Sequence, residues 1–165
     1  MTDTDMNGKP LIFIISMMLL CSSCADAPPA PPPALPPTQV SVEISSDGTV
    51  NPDINGAASP VLLRIYELKE KSNFVNANFF ALFDKEQATL AGDLVRKQEF
   101  QIVPNAKKTV AITVDSSTRL LGFFAAFRSL DNAQWRAVSN LQEHKNNILK
   151  LKLNGANLTV LDETP

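Results

Sequence analysis

Cysteine and histidine are scarce in this chain. Among 165 residues there are two cysteines, Cys21 and Cys24, one histidine, His144, one tryptophan and one tyrosine. A structural zinc site needs four ligands, and two cysteines with one histidine do not supply them. The same inventory excludes a nucleophile–base hydrolase, because His144 sits in LQEHKNN with no GxSxG-type motif. Carboxylate pairs such as Asp84 and Glu86 are too generic to signal acid–base chemistry. No enzymatic activity, no metal site and no small-molecule substrate are expected. Concentrated positive charge is missing too. The formal charge is −2, and no basic stripe marks a nucleic-acid surface. There is no internal repeat and only one membrane-like apolar run.

What is present begins with that run. Leu11 to Cys21, LIFIISMMLLC, is broken only by Ser16. It is too short to span a bilayer, which takes about 20 apolar residues, and it fits the core of a secretory signal. Asp3 and Asp5 outweigh Lys9 ahead of it, whereas a start at Met6 leaves Lys9 as the only charged side chain. Ser22 and Ser23 then lead into Cys24, which resembles a bacterial lipobox: small residues precede a cysteine that is acylated and becomes the new N-terminus. Cys21 stands where that pattern prefers Leu, Val or Ile. The rival reading, a CxxC redox or metal pair, lacks a βαβ setting and further ligands. Residues 1–23 are thus expected as a signal peptide. The expected modification is covalent diacylglycerol plus an N-acyl chain on Cys24. Ala25, rather than Asp, follows Cys24, which favours the inner leaflet of the outer membrane, with the domain facing the periplasm.

Residues 24–37 carry the acylation site and ADAPPAPPPALPP. Proline lacks the N–H and fixes φ, so neither a helix nor a central strand forms there. Extended polyproline II at about 3.1 Å per residue reaches roughly 40 Å. The segment reads as a semi-rigid stalk.

Residues 38–165 are long enough for one domain with its own core. Removing Asp3, Asp5 and Lys9 with the signal leaves a formal charge of −1. Alternation over Val40, Val42 and Ile44 predicts a first strand. VLLRIYEL, 61–68, is apolar on both faces and predicts a central one. Phe100 and Ile102, then Val110, Ile112 and Val114, flank a turn at Pro104-Asn105. LLGFFAAF, 120–127, reads as a buried strand in which Gly122 signals a bulge or close packing. Trp135 to Leu141 is a weaker strand. Leu149, Leu151 and Leu153 lead through Asn154-Gly155 to Leu158 and Val160, a hairpin. SNFVNANFFALFDKEQATLAGDL, 72–94, breaks the rhythm and predicts one or two short helices, an insertion over about 76–92. Asp84 with Gln87 suggests a capping box and Gly92 a helix stop. The expected class is mainly β: a two-sheet sandwich of about eight strands with a short helical insertion. Phe79, Phe80, Leu82 and Phe83 would close its edge or end, or line a pocket for a small hydrophobic ligand or glycan.

The ordered set Asn51-Pro52-Asp53, Gly56, Ser59-Pro60 and VLLRIYELK, then Phe74 with ANFFALF, then AAFRSLDNAQWR at 125–136, together with the lipobox, resembles the TssJ/VasD family of type VI secretion lipoproteins. Asn105 departs from a glycine common there, and Asn also tolerates φ > 0. The resemblance implies a transthyretin-like sandwich with added helices. It also implies an outer-membrane lipoprotein that binds the periplasmic C-terminal domain of TssM, and through it TssL. It places TssM binding in the loop between the first two strands, 46–60, hence Asp47, Asn51, Pro52, Asp53, Asn55 and Gly56.

Independently, that loop is long and polar, as binding loops often are. Its Asp47, Asp53 and Asn55 lack the bidentate Glu of a calcium loop. Arg64, embedded in an apolar strand, calls for a partner, with Asp131 or Glu67 as candidates. Trp135 is expected in the core, with an interface role beside Arg136 as the alternative.

Overall fold

The computed structural model describes residues 33–165. The signal, both cysteines and most of the stalk lie outside the described residues. Eight strands form two four-stranded sheets packed face to face. One sheet has the order β4-β1-β7-β8, built from Lys107–Thr113, Gln39–Ser46, Asn146–Asn154 and Asn157–Asp162. The other has the order β3-β2-β5-β6, from Leu94–Ile102, Val61–Leu68, Leu120–Ala126 and Arg136–Asn140. Strands β1 and β7 run parallel; the other pairs are antiparallel.

Period-two patterning explains the first sheet. Val40, Val42 and Ile44 point inward with Leu149, Leu151 and Leu153, while Ser41, Glu43 and Lys152 are not buried. The two central strands of the second sheet, β2 and β5, are largely apolar on both faces because both faces are covered. Leu63, Ile65, Leu121, Phe123 and Ala125 enter the sandwich core. Tyr66, Leu68, Leu120 and Phe124 form a second core with Phe74, Leu82 and Leu90 from the helical insertion. Each fully buried Leu or Phe contributes about 1.5–3 kcal/mol of transfer free energy, so the insertion is anchored by a core of its own.

The insertion holds three short helices, α1 (Ser72–Asn76), α2 (Phe79–Asp84) and α3 (Glu86–Leu90), then a 3-10 turn at Ala91–Asp93. The expected capping box is not formed. Asp84 is the last residue of α2, and α3 starts after Lys85 with no side-chain cap. Helix α2 runs through Asp84 because the Lys85 N–H bonds the Ala81 carbonyl at 3.1 Å. The cap that does form is Asn78, whose side-chain oxygen accepts from the Ala81 N–H at 2.8 Å. Nor does Gly92 supply the left-handed stop. The positive φ after α3 belongs to Ala91, at 47° with ψ −124°, just after the buried Leu90.

Gly122 marks close packing. A Cβ there would lie 2.9 Å from Leu68 Cδ1 and 3.1 Å from the Phe74 ring, so α1 seats directly on β5. The β3–β4 turn uses Asn105 at φ 59°. In the β7–β8 hairpin, Asn154 still belongs to the strand and Gly155, at φ 53°, opens the turn.

Candidate functional site

The first interstrand loop starts as a polar segment whose side chains bond their own backbone. Asp47 Oδ1 accepts from the Thr49 N–H and hydroxyl at 2.8 and 2.7 Å. Asp53 Oδ1 accepts from the Asn55 and Ala57 N–H groups at 2.8 and 2.9 Å. Gly56, at φ 82°, closes the turn onto the Asp53 carbonyl. These are Asx-type turns, in which a short carboxylate replaces missing secondary structure.

Asn51 fastens this loop to the sandwich. It is 3% exposed and left-handed at φ 49°. Its side-chain amide donates to the Pro60 carbonyl at 2.7 Å, and its Oδ1 accepts from the Arg128 N–H at 2.8 Å. Its own N–H reaches the Gly155 carbonyl at 2.7 Å. Next to it, Val50 is fully buried in the core. The loop is therefore a fixed scaffold.

The candidates divide by exposure. Asn51 is buried, Pro52 and Asp53 are half-buried, and Asp47, Asn55 and Gly56 are exposed. At the tip stands a residue that sequence reasoning did not single out: Ile54, 101% exposed. It shares a shallow depression with Pro52, Asp53, Arg128 and Ser129. Its signal was its isolation, as the one large apolar side chain between Val50 and Val61. Val103, also exposed, belongs to the same end, where its carbonyl accepts from the Ser46 hydroxyl at 2.7 Å. Strand β1 separates this end from Thr38, the residue before the strand. Eight residues at about 3.3 Å each put roughly 25 Å between them.

Elsewhere the polar and aromatic candidates build the insertion. Arg64 pairs with neither Asp131 nor Glu67. It meets Glu86 at 2.9 Å and Glu99 at 2.8 Å, and donates to the Leu82 and Phe83 carbonyls. The reason is topological: Arg64 projects from the outer face of β2, and α2 and α3 fold over that face. Glu67 instead meets Arg96 and accepts from the Asp115 N–H. Tyr66 donates to Glu86 at 2.8 Å, and Lys97 also pairs with Glu86. Burial pushes the Glu86 carboxyl up, but the bonds from Lys97 and Tyr66 and the charge of Arg64 outweigh it and hold the group below its ordinary value. Burial raises the Tyr66 hydroxyl well above its ordinary range.

Phe79 packs against Phe80, Phe83, Phe124 and Trp135 at 5.0–5.7 Å between ring centres. Trp135 joins both cores, as the core reading expected, with Arg136 over its ring at 4.6 Å. Among the described residues no group of three His, Cys, Asp or Glu side chains could hold a metal ion. No helix among them is long and apolar enough to cross a membrane.

Residues 38–156 match the family of type VI secretion lipoproteins that includes VasD, EvfM and TssJ. No curated protein matches the chain. Among solved structures, the T6SS lipoprotein TssJ1 of Pseudomonas aeruginosa is 38% identical, with a TM-score of 0.76 over 79% of this chain and 99% of that one. A chain of a type VI membrane complex is 26% identical, with a TM-score of 0.66 over 74% and 97%. A chain of the structure described as T6SS protein TssM C-terminal domain, from EAEC, shares the fold at 24% identity and a TM-score of 0.63, over 74% and 97%. An eight-stranded sandwich with a helical insertion and a sequence match across its domain lead to one conclusion: the chain belongs to the type VI secretion lipoprotein family of TssJ and VasD.

Proposed function

We propose that this lipoprotein is the outer-membrane anchor of a type VI secretion membrane complex. In this reading acyl chains on Cys24 hold it in the inner leaflet, and the 46–60 loop binds the periplasmic C-terminal domain of a TssM protein, which links it to TssL. The role is structural and not enzymatic. Family membership supports the general part. The specific part rests on one observation: a loop locked by Asn51 and Asp53 presents a fully exposed Ile54 beside Arg128. That end lies at the other end of β1 from Thr38. A rigid loop loses little entropy on binding, and an apolar anchor beside an arginine has the character of an interface centre. The ligand-pocket reading has less support, because the Phe79, Phe83, Phe124 and Trp135 rings fill one another's space.

Calorimetry between the lipoprotein and the TssM C-terminal domain encoded with it tests this, alongside a variant whose 46–60 loop is replaced by a short Gly/Ser linker. Binding lost in a still-folded variant supports role and site together. Binding kept by the variant moves the interface elsewhere. No binding by the parent overturns the direct link.

A further inference from the structure

The segment that joins stalk to domain is tied down in an unusual way. His144 occupies the turn before β7 with a left-handed backbone, φ 60°, a conformation that is uncommon outside glycine and that points to a local constraint. The result is that one residue grips the incoming chain twice. The His144 N–H donates to the Thr38 hydroxyl oxygen at 2.7 Å. Its ring Nδ1 lies 2.8 Å from the Pro36 carbonyl oxygen. Two backbone bonds continue the grip, from the Gln39 N–H to the Lys145 carbonyl at 3.0 Å and from the Val114 N–H to the Thr38 carbonyl at 3.2 Å.

The turn itself is braced from beneath. Asn147 is 1% exposed, accepts from the Gln142 N–H at 2.7 Å, and donates to the Gln142, Lys145 and Gln39 carbonyls. On the other side, Glu143 pairs with Arg119 at 3.1 Å. A cleft beside this segment is lined by Leu35, Pro36, Val114, Thr118, Arg119 and His144.

We propose that this turn is a clamp that fixes residues 35–38 against the domain where the chain enters β1, with His144 as its positioning residue. Exposed hydrogen bonds hold a flexible chain poorly, because ordering it costs entropy. Pro36 and Pro37 have lost most of that freedom already, and each restrains the residue before it to extended conformations. Few bonds therefore suffice to hold residues 35–38 in one course.

His144 is the sole histidine, so its ring can be read without assignment in the full chain, held in detergent micelles. The Pro36 carbonyl only accepts, so Nδ1 must donate. Imidazole ¹⁵N spectra recorded with the ring neutral are expected to show the proton on Nδ1. The Leu35 amide is expected to be as rigid as those of β1, with an order parameter near about 0.85, falling below about 0.6 in His144→Asn. Asparagine keeps the tolerance for a left-handed backbone and loses the ring contact, so the β1 amides stay rigid in that variant. A neutral ring protonated at Nε2, a mobile Leu35 in the parent, or a rigid Leu35 in the variant would each overturn the clamp. None of these readouts involves TssM, so a failure here is distinct from a failure of the partner reading.

Discussion

Arg64 on β2 and Glu86 on α3 meet at 2.9 Å, with the arginine side chain 11% exposed and the glutamate 19% exposed. This pair is the polar pin between the helical insertion and the sheet beneath it, because the same guanidinium also holds the Leu82 and Phe83 carbonyls that end α2. Glu86→Ala leaves a mostly buried cation with Glu99 alone and leaves the Tyr66 hydroxyl without its acceptor. Removing one partner of a buried pair costs about 3–5 kcal/mol, and partial exposure here reduces that to about 2–4 kcal/mol. Urea unfolding of parent and variant measures it.

The same carboxylate makes stability depend on acid. The Glu86 carboxyl is held below its ordinary value in the folded chain, so the stabilisation is present above the unfolded carboxylate pKa, about 4.3. It is lost as pH falls through the lower folded value. Glu86→Gln removes this contribution. The parent is expected to lose stability between pH 5 and pH 3 more steeply than the variant, as read from urea midpoints across that range.

Gly122→Ala tests the contact between β5 and α1. The new methyl would meet Leu68 and Phe74 at about the distances given above, closer than carbon atoms pack. Overpacking of this kind costs about 1–3 kcal/mol. Thermal melts followed by near-ultraviolet dichroism are expected to show a lowered midpoint and a changed aromatic signal, because Phe74 packs against Tyr66 at 5.7 Å.

The strands that alternate or run continuously apolar were legible in the sequence: β1, β2, β5 and β7 owe their burial to local pattern. Strand β3 was half hidden, since Arg96, Lys97, Gln98 and Glu99 carry no apolar alternation. That segment is a strand because Arg64 and Glu67 on β2 pair with it. The partners of Arg64 and the true helix cap were illegible for the same reason. They depend on how 72–93 folds back over the sheet, a long-range event that spacing does not encode. At the candidate site, the loop and its turn chemistry were legible from Asp, Asn and Gly. The burial of Asn51 was not, because it is set by Arg128, 77 positions away. Ile54 was not legible because a single apolar side chain in a polar loop carries no periodicity.

Cys24→Ser tests the anchor. If Cys24 carries the acyl chains, the variant keeps its uncleaved signal, shows no lipid mass by spectrometry, and leaves the outer-membrane fraction. Cys21→Ser is expected to keep both lipid and location, because bulky Leu20 precedes Cys21. Loss of lipid in Cys21→Ser with retention in Cys24→Ser would reassign the acylated residue.

Asn51 and Ile54 are expected to separate stability from binding. Asn51→Ala removes two side-chain hydrogen bonds from a buried site and puts alanine at φ 49°. Each unsatisfied buried group costs about 1–3 kcal/mol, so a loss of about 2–4 kcal/mol is expected in urea unfolding. Asn51→Gly recovers the part due to backbone strain. Ile54→Ala touches nothing buried, since the side chain is fully exposed, and its unfolding midpoint should not move beyond the roughly 0.5 kcal/mol usual for surface changes. If Ile54 is the anchor of the TssM interface, the same variant loses about 1–3 kcal/mol of affinity, about fivefold to 150-fold in Kd, and Arg128→Ala weakens binding alongside it. Calorimetric titration of these variants against the TssM C-terminal domain decides the matter. Unchanged affinity in both Ile54→Ala and Arg128→Ala would move the interface off the loop tip, whatever Asn51→Ala does to the fold.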